Sequence, residues 1–189
     1  YTYAPIDMAP ALYLHWHSEM EYLYLVEGEL LFQIENQTFL LHAKEGIFIP
    51  AELLHTAKNT GNTPVSFFAF VFSSSFLISS FDTTSYNTYI LPVIHNNLQF
   101  ATVLHESISW QKMILDFLHQ IFFEENQNEL HIRGLALLMW DVLYQNHISK
   151  IGVEKSLQTL SAQLAPALSY IQQNYQQEVS LEELAFLFT

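Results

Sequence analysis

The residues best suited to chemistry stand close together near the start of the chain, in His15-Trp16-His17-Ser18-Glu19-Met20-Glu21. His15, His17 and Glu21 share odd parity, so in an extended chain, whose side chains alternate, they point to one face together with Leu23 and Leu25. Two imidazoles and a carboxylate on one interior face are a ligand set for a divalent transition metal such as zinc, nickel, iron or manganese. A fourth candidate, His55, follows in Gly46-Ile47-Phe48-Ile49-Pro50-Ala51-Glu52-Leu53-Leu54-His55-Thr56-Ala57-Lys58-Asn59. In an otherwise apolar pocket the same four residues could instead hydrogen-bond an organic effector. A lone histidine would count as a core residue bonded to its neighbours, whereas four such positions in this order point to a site.

A scaffold of short strands must position them. From Leu12 to about Phe76 aromatic and β-branched runs alternate with turn residues, and Glu21 to Val26, Leu30 to Glu35, Gln37 to His42, Ile47 to Pro50 and Val65 to Phe72 are predicted strands. Gly28, Glu35 with Asn36, Glu45 with Gly46, and Asn59 to Pro64 break them. Strands this regularly spaced, with no helix between them, predict an antiparallel barrel or sandwich. Of the aromatic group Phe32, Phe67, Phe68, Phe70 and Phe72, only some would face its interior. Ser73 to Asn87 is rich in Ser and Thr and predicts a connecting loop, parts of which should pack down through Phe76, Leu77, Ile78 and Phe81. Trp110, Met113, Ile114, Phe117, Leu118 and Ile121 recur at spacings of three and four, which predicts an amphipathic helix ending near Glu124. A second helix, His131 to His147, is apolar nearly all round and so needs cover on more than one side. Leu137, Trp140 and Tyr144 are expected to pack on the barrel or the first helix, and Leu135, Leu138, Met139 and Val142 to meet a twofold partner in a homodimer. The sole arginine, Arg133, has Asp141 as a candidate partner.

Residues 148–164 have weak periodicity and suit a linker. Helical signals return at Pro166, Leu168, Ile171 and Tyr175, and Ser180-Leu181-Glu182-Glu183 is a capping box for a further helix. The chain opens on Tyr1 and ends on the apolar pattern of Leu187 and Phe188, which suggests a domain excised from a longer protein. The expected organisation is a barrel over 1–95, a helical dimerisation region over 96–150, a linker over 151–164 and the start of another domain over 165–189.

His-x-His, three residues, Glu, six residues, Gly resembles the first signature of the cupin barrel, and Gly46, Pro50, His55 and Asn59 resemble the second, the two together spanning residues 15–59. The second departs from the usual pattern in carrying Glu52 where glycine is usual and in a shortened gap between Gly46 and Pro50. The resemblance implies a mainly β fold, a cupin-like jelly-roll barrel followed by amphipathic helices, and it carries the family's metal positions onto His15, His17, Glu21 and His55. A single barrel, two helices, a linker and then Ala167 to Tyr175 and Val179 to Ala185 is similar in order to the AraC family of bacterial transcription regulators. That resemblance implies an effector-sensing, dimerising domain ahead of a helix-turn-helix domain of which residues 165–189 are the start. It implies a binding protein rather than an enzyme, a metal-dependent cupin dioxygenase or isomerase being the alternative.

The charge agrees with that division. Six Lys plus Arg against nineteen Asp plus Glu leave a net charge of -13, which repels phosphate backbones and anionic membranes. No Lys or Arg follows Lys155, so DNA would be bound only through a recognition helix beyond residue 189. Zero cysteines exclude a disulfide framework, a thiolate metal site and a cysteine nucleophile. No apolar run is long enough to span a membrane and no secretory signal opens the chain, so a cytoplasmic location is expected. Asn36-Gln37-Thr38 is then a hairpin turn rather than a glycosylation site, and His95, His105, His119, His131 and His147 have surface or packing roles.

Overall fold

The computed structural model describes residues 2–3, 10–79, 81–95, 101–125 and 128–148, followed by 166–167, 170–171, 173–174, 176–177 and 179–186. Its strands are β1 (Thr2–Tyr3), β2 (Pro10–His15), β3 (Met20–Glu27), β4 (Glu29–Ile34), β5 (Gln37–His42), β6 (Gly46–Ile49), β7 (His55–Asn59), β8 (Val65–Phe72) and β9 (Thr102–Leu104). They form two antiparallel sheets, one in the order β1-β8-β3-β6-β9 and one in the order β2-β7-β4-β5.

Strand alternation decides which residues fill the space between the sheets. Leu23 and Leu25 of β3, Ile47 and Ile49 of β6 and Phe67 of β8 meet Leu30 and Phe32 of β4, Leu41 of β5 and Ala57 of β7 in one buried cluster. The even-numbered neighbours Met20, Tyr22, Tyr24, Phe48 and Phe72 face the other way, into a second core. β3 is therefore buried on both faces, which explains the unbroken apolar run from Tyr22 to Val26. The second core is closed by helices α4 (Ser109–Phe123) and α5 (Glu129–Asn146), through Ile114, Leu115, Leu118, Ala136, Met139, Trp140 and Leu143. Among the described residues no helix is long and apolar enough to cross a membrane.

Two turns explain local sequence choices. Gly28 joins β3 to β4 at φ +88°, and a Cβ there would lie 2.6 Å from Val65 Cγ1 and 2.8 Å from the Pro64 carbonyl oxygen, so only glycine fits. Glu52 stands where the cupin pattern has glycine, yet it adopts the left-handed conformation that glycine favours, at φ 63°. The turn thus keeps its shape at a conformational cost of about 1 kcal/mol.

The five predicted strands are all present, and α4 and α5 fall within two residues of the predicted helices. The segment after β8 differs from expectation: it is helical, with α1 (Ser74–Leu77), α2 (Thr83–Ser85), a π-helical turn (Tyr86–Ile90) and α3 (Leu91–His95). Leu77, Ile90 and Val93 anchor it in the second core, which short-range periodicity does not reveal. The expected barrel limit at residue 95 is corrected too, because β9 lies beyond it and pairs with β6, Ile47 opposite Val103. The 151–164 linker lies outside the described residues. The capping box is formed: Glu183 N–H donates to Ser180 Oγ at 3.2 Å and Ser180 N–H to Glu183 Oε2 at 2.9 Å, at the start of a helix Leu181–Phe186.

The expected dimer face requires correction. Leu135 and Met139 are 5% and 0% exposed within the single chain, and Val142 packs against the same core, so only Leu138, at 49%, looks outward. The reason is geometric: α5 lies against both the barrel and α4, which cover Leu135, Met139, Trp140 and Leu143 within one chain, whereas Leu138 and also Leu137, expected to pack inward, stay exposed. Trp140 and Tyr144 do pack inward, Trp140 edge-on to Phe48 at 6.1 Å and Tyr144 onto Tyr89. Arg133 pairs with Glu129 and lies over the Phe76 ring, not beside Asp141.

Candidate metal centre

His15, His17, Glu21 and His55 come together at one end of the barrel, with one ligand atom from each lying within 4.8 Å of the others. Both sheets contribute. His15 ends β2 and stands directly opposite His55 on β7, whereas Glu21 belongs to β3 in the facing sheet, opposite Ile49. His17 lies in the connection that carries the chain from one sheet to the other. Parity alone does not account for this convergence: the extended run stops after His15, and the crossing between sheets brings the side chains together. The Glu52 amide donates to the His17 carbonyl at 2.8 Å, tying the β6–β7 turn to the crossing segment.

Each imidazole is oriented by a backbone carbonyl. Nδ1 of His15 donates to Tyr13 O at 2.7 Å, Nδ1 of His17 to Glu19 O at 2.9 Å and Nδ1 of His55 to Leu53 O at 2.8 Å. A carbonyl can only accept, so Nδ1 carries hydrogen in all three rings and Nε2 is left to face the cluster, the arrangement by which proteins fix a metal-binding histidine. His17 Nε2 lies 3.2 Å and His55 Nε2 3.6 Å from Glu21 Oε2. The His55 Nε2 atom is buried without a hydrogen-bond partner, an orphaned ligand atom in a residue only 1% exposed. That orphan, the three locked rings and the carboxylate fit a divalent transition metal.

The electrostatics favour a cation. Burial alone would raise the Glu21 carboxyl, but its hydrogen bond to His17 and the close approach of the His17 and His55 rings outweigh burial and hold it down to about 2. The Glu21 hydrogen bond raises the His17 pKa against the opposing effect of burial, while burial and the neighbouring His55 lower that of His15. Glu21 is thus a buried, ionised carboxylate facing imidazole nitrogens, with His15 and His17 partly exposed at the mouth. Below it the interior is filled by Leu23, Leu25, Ile34 and Leu53. The remaining described histidines stand elsewhere: His105 pairs with Glu45 at 2.7 Å and His42 with Glu29 at 3.4 Å, both on the surface.

The sequence did not show the three carbonyl bonds, because backbone acceptors leave no mark on residue type. Nor did it show the buried Glu35, whose amide donates to Leu54 O and whose carboxylate accepts from Leu54 N–H, both at 2.8 Å, clamping the segment before His55.

The family model for the cupin domain matches residues 1–71. An uncharacterized HTH-type transcriptional regulator of Bacillus subtilis (strain 168), YdeC, is 26% identical over 176 residues, covering 91% of this chain and 59% of that protein. The chain therefore spans less than two thirds of that relative. The 1.65 Å structure of ToxT from Vibrio cholerae shares the fold, with a TM-score of 0.52 and 10% identity over 98% of this chain and 68% of that one. A predicted oxalate decarboxylase from Thermotoga maritima is 31% identical over 32% of this chain and 54% of that one, at a TM-score of 0.31. Residues 1–71 thus match the cupin-domain model, and 91% of the chain is similar in sequence to an HTH-type transcriptional regulator.

Proposed function

We propose that the chain is the effector-sensing and dimerising part of a DNA-binding regulator, and that His15, His17, Glu21 and His55 hold a divalent transition metal at its effector site. The observation that carries the site is the orphaned, buried His55 Nε2 facing an ionised Glu21. The metal would supply positive charge and open coordination positions to an organic ligand. This chain's residues supply the donors, the fixed tautomers and the apolar floor that excludes water. The same donors suit a cupin enzyme, but similarity to an HTH-type regulator along 91% of the chain favours sensing.

DNA contact is assigned to residues beyond this chain, because the net charge of -13 opposes phosphate. The test is promoter binding by this chain and by the longer protein, followed by fluorescence anisotropy. The longer protein should bind specifically and this chain should not; specific binding by this chain at submicromolar concentration contradicts the assignment.

The dimer contact is assigned to the outward side of α5. Leu130 and Leu138 are exposed there, and Gly134 between them leaves a groove bordered by Asn128, His131 and Leu135. A second copy of the helix would bury these leucines by self-complementarity. In sedimentation at micromolar concentration the chain should be a dimer and Leu138→Glu a folded monomer. A wild-type monomer, or a variant that stays dimeric, contradicts it.

A further inference from the structure

A second concave site lies on the opposite side of the barrel sheet from the histidine cluster, where the Tyr86–Ile90 turn packs on α5. Its volume is about 370 Å3, within the range of small-molecule pockets. Three aromatic residues, Tyr89, Trp140 and Tyr144, line it with Ile78, Leu137, Asp141 and Gln145. The walls are fixed to each other: Tyr89 and Tyr144 meet edge to face at 5.2 Å, and Tyr144 Oη donates to the Thr88 carbonyl at 3.3 Å. Trp140 is held from behind by Phe48 of β6.

We propose that this cavity binds a small organic monocation, an amine or quaternary ammonium group. Aromatic faces attract cations through their quadrupoles, and do so most strongly where water is excluded. Asp141 adds a full negative charge, and its hydrogen-bond partner is the neutral Gln145 amide, at 2.7 Å. No Lys or Arg is among the described lining residues. The nearest cation along the same helix, Arg133, is committed to Glu129 and the Phe76 ring. An anion would be repelled by Asp141 and by the overall charge of -13. A metal ion would find one carboxylate and one amide oxygen among aromatic walls, too few hard donors to replace its water. A cation with an apolar shell uses both the rings and the carboxylate.

The test is isothermal titration of the chain with choline and with 3,3-dimethylbutan-1-ol, which has the same shape with carbon in place of the charged nitrogen. Choline should bind at one site per chain, about tenfold tighter than the neutral alcohol. Asp141→Asn, at an exposed position, should remove most of that difference, and Tyr89→Leu should weaken choline while circular dichroism shows the fold retained. His55→Ala should leave choline binding unchanged. Equal affinity for the two compounds, no choline binding at millimolar concentration, an unaltered choline affinity in folded Asp141→Asn, or loss of choline binding in His55→Ala would overturn the proposal.

Discussion

Replacing His55 by alanine is expected to lower the affinity of the chain for zinc or nickel by about 100-fold or more, the upper end of what even supporting groups around a metal contribute. His55 is the most buried of the four candidate ligands, and its Nε2 has no partner to give up on binding. Glu21→Gln should act in the same direction, since it removes the negative charge that the cluster holds ionised. His42→Ala and His105→Ala are the controls: these rings pair with Glu29 and Glu45 away from the cluster and should leave affinity unchanged. Competition with a chelator of known affinity measures the effect, with circular dichroism to show that each variant is folded. An unchanged affinity in His55→Ala would remove this residue from the ligand set.

Phe48→Ala should cost about 3–5 kcal/mol of stability, as expected for deleting a fully buried aromatic side chain. Phe48 joins the two layers: its ring lies 4.8 Å from Tyr22 on the neighbouring strand and 6.1 Å from Trp140 on α5. Its loss would leave a cavity between the sheet and the helices that these large rings cannot readily close. Urea denaturation should show a lowered midpoint with an unchanged slope. A cost below about 1 kcal/mol would mean that the helices do not depend on this contact.

Much of this was legible in the sequence where chemistry or periodicity repeats at short range. The strands with alternating patterns, the two long helices and the Ser180 capping box follow from local rules, and the four site residues follow from their types and order. Tertiary contacts supplied the rest. β7 was missed as a strand because His55, Thr56, Lys58 and Asn59 are polar, and it forms by pairing with β2 and β4. β9 is three residues long and forms only against β6. The Ser- and Thr-rich segment after β8 becomes helical because scattered apolar residues find the second core. The same limit affected α5: a helix apolar nearly all round must be covered, but its sequence does not say whether the cover is its own chain or a partner. The structure assigns Leu135 and Met139 to the chain and leaves Leu138 outside.

The most direct measurement of the central claim is the affinity for promoter DNA of the longer regulator proposed above, with the cluster metal-free and then loaded with zinc or nickel. A sensing site must be linked to DNA binding, and coupling of the usual size changes affinity by about 5- to 150-fold. The account predicts a difference in that range, abolished by His55→Ala. Equal affinities for DNA, with metal bound in one sample and absent in the other, would contradict it.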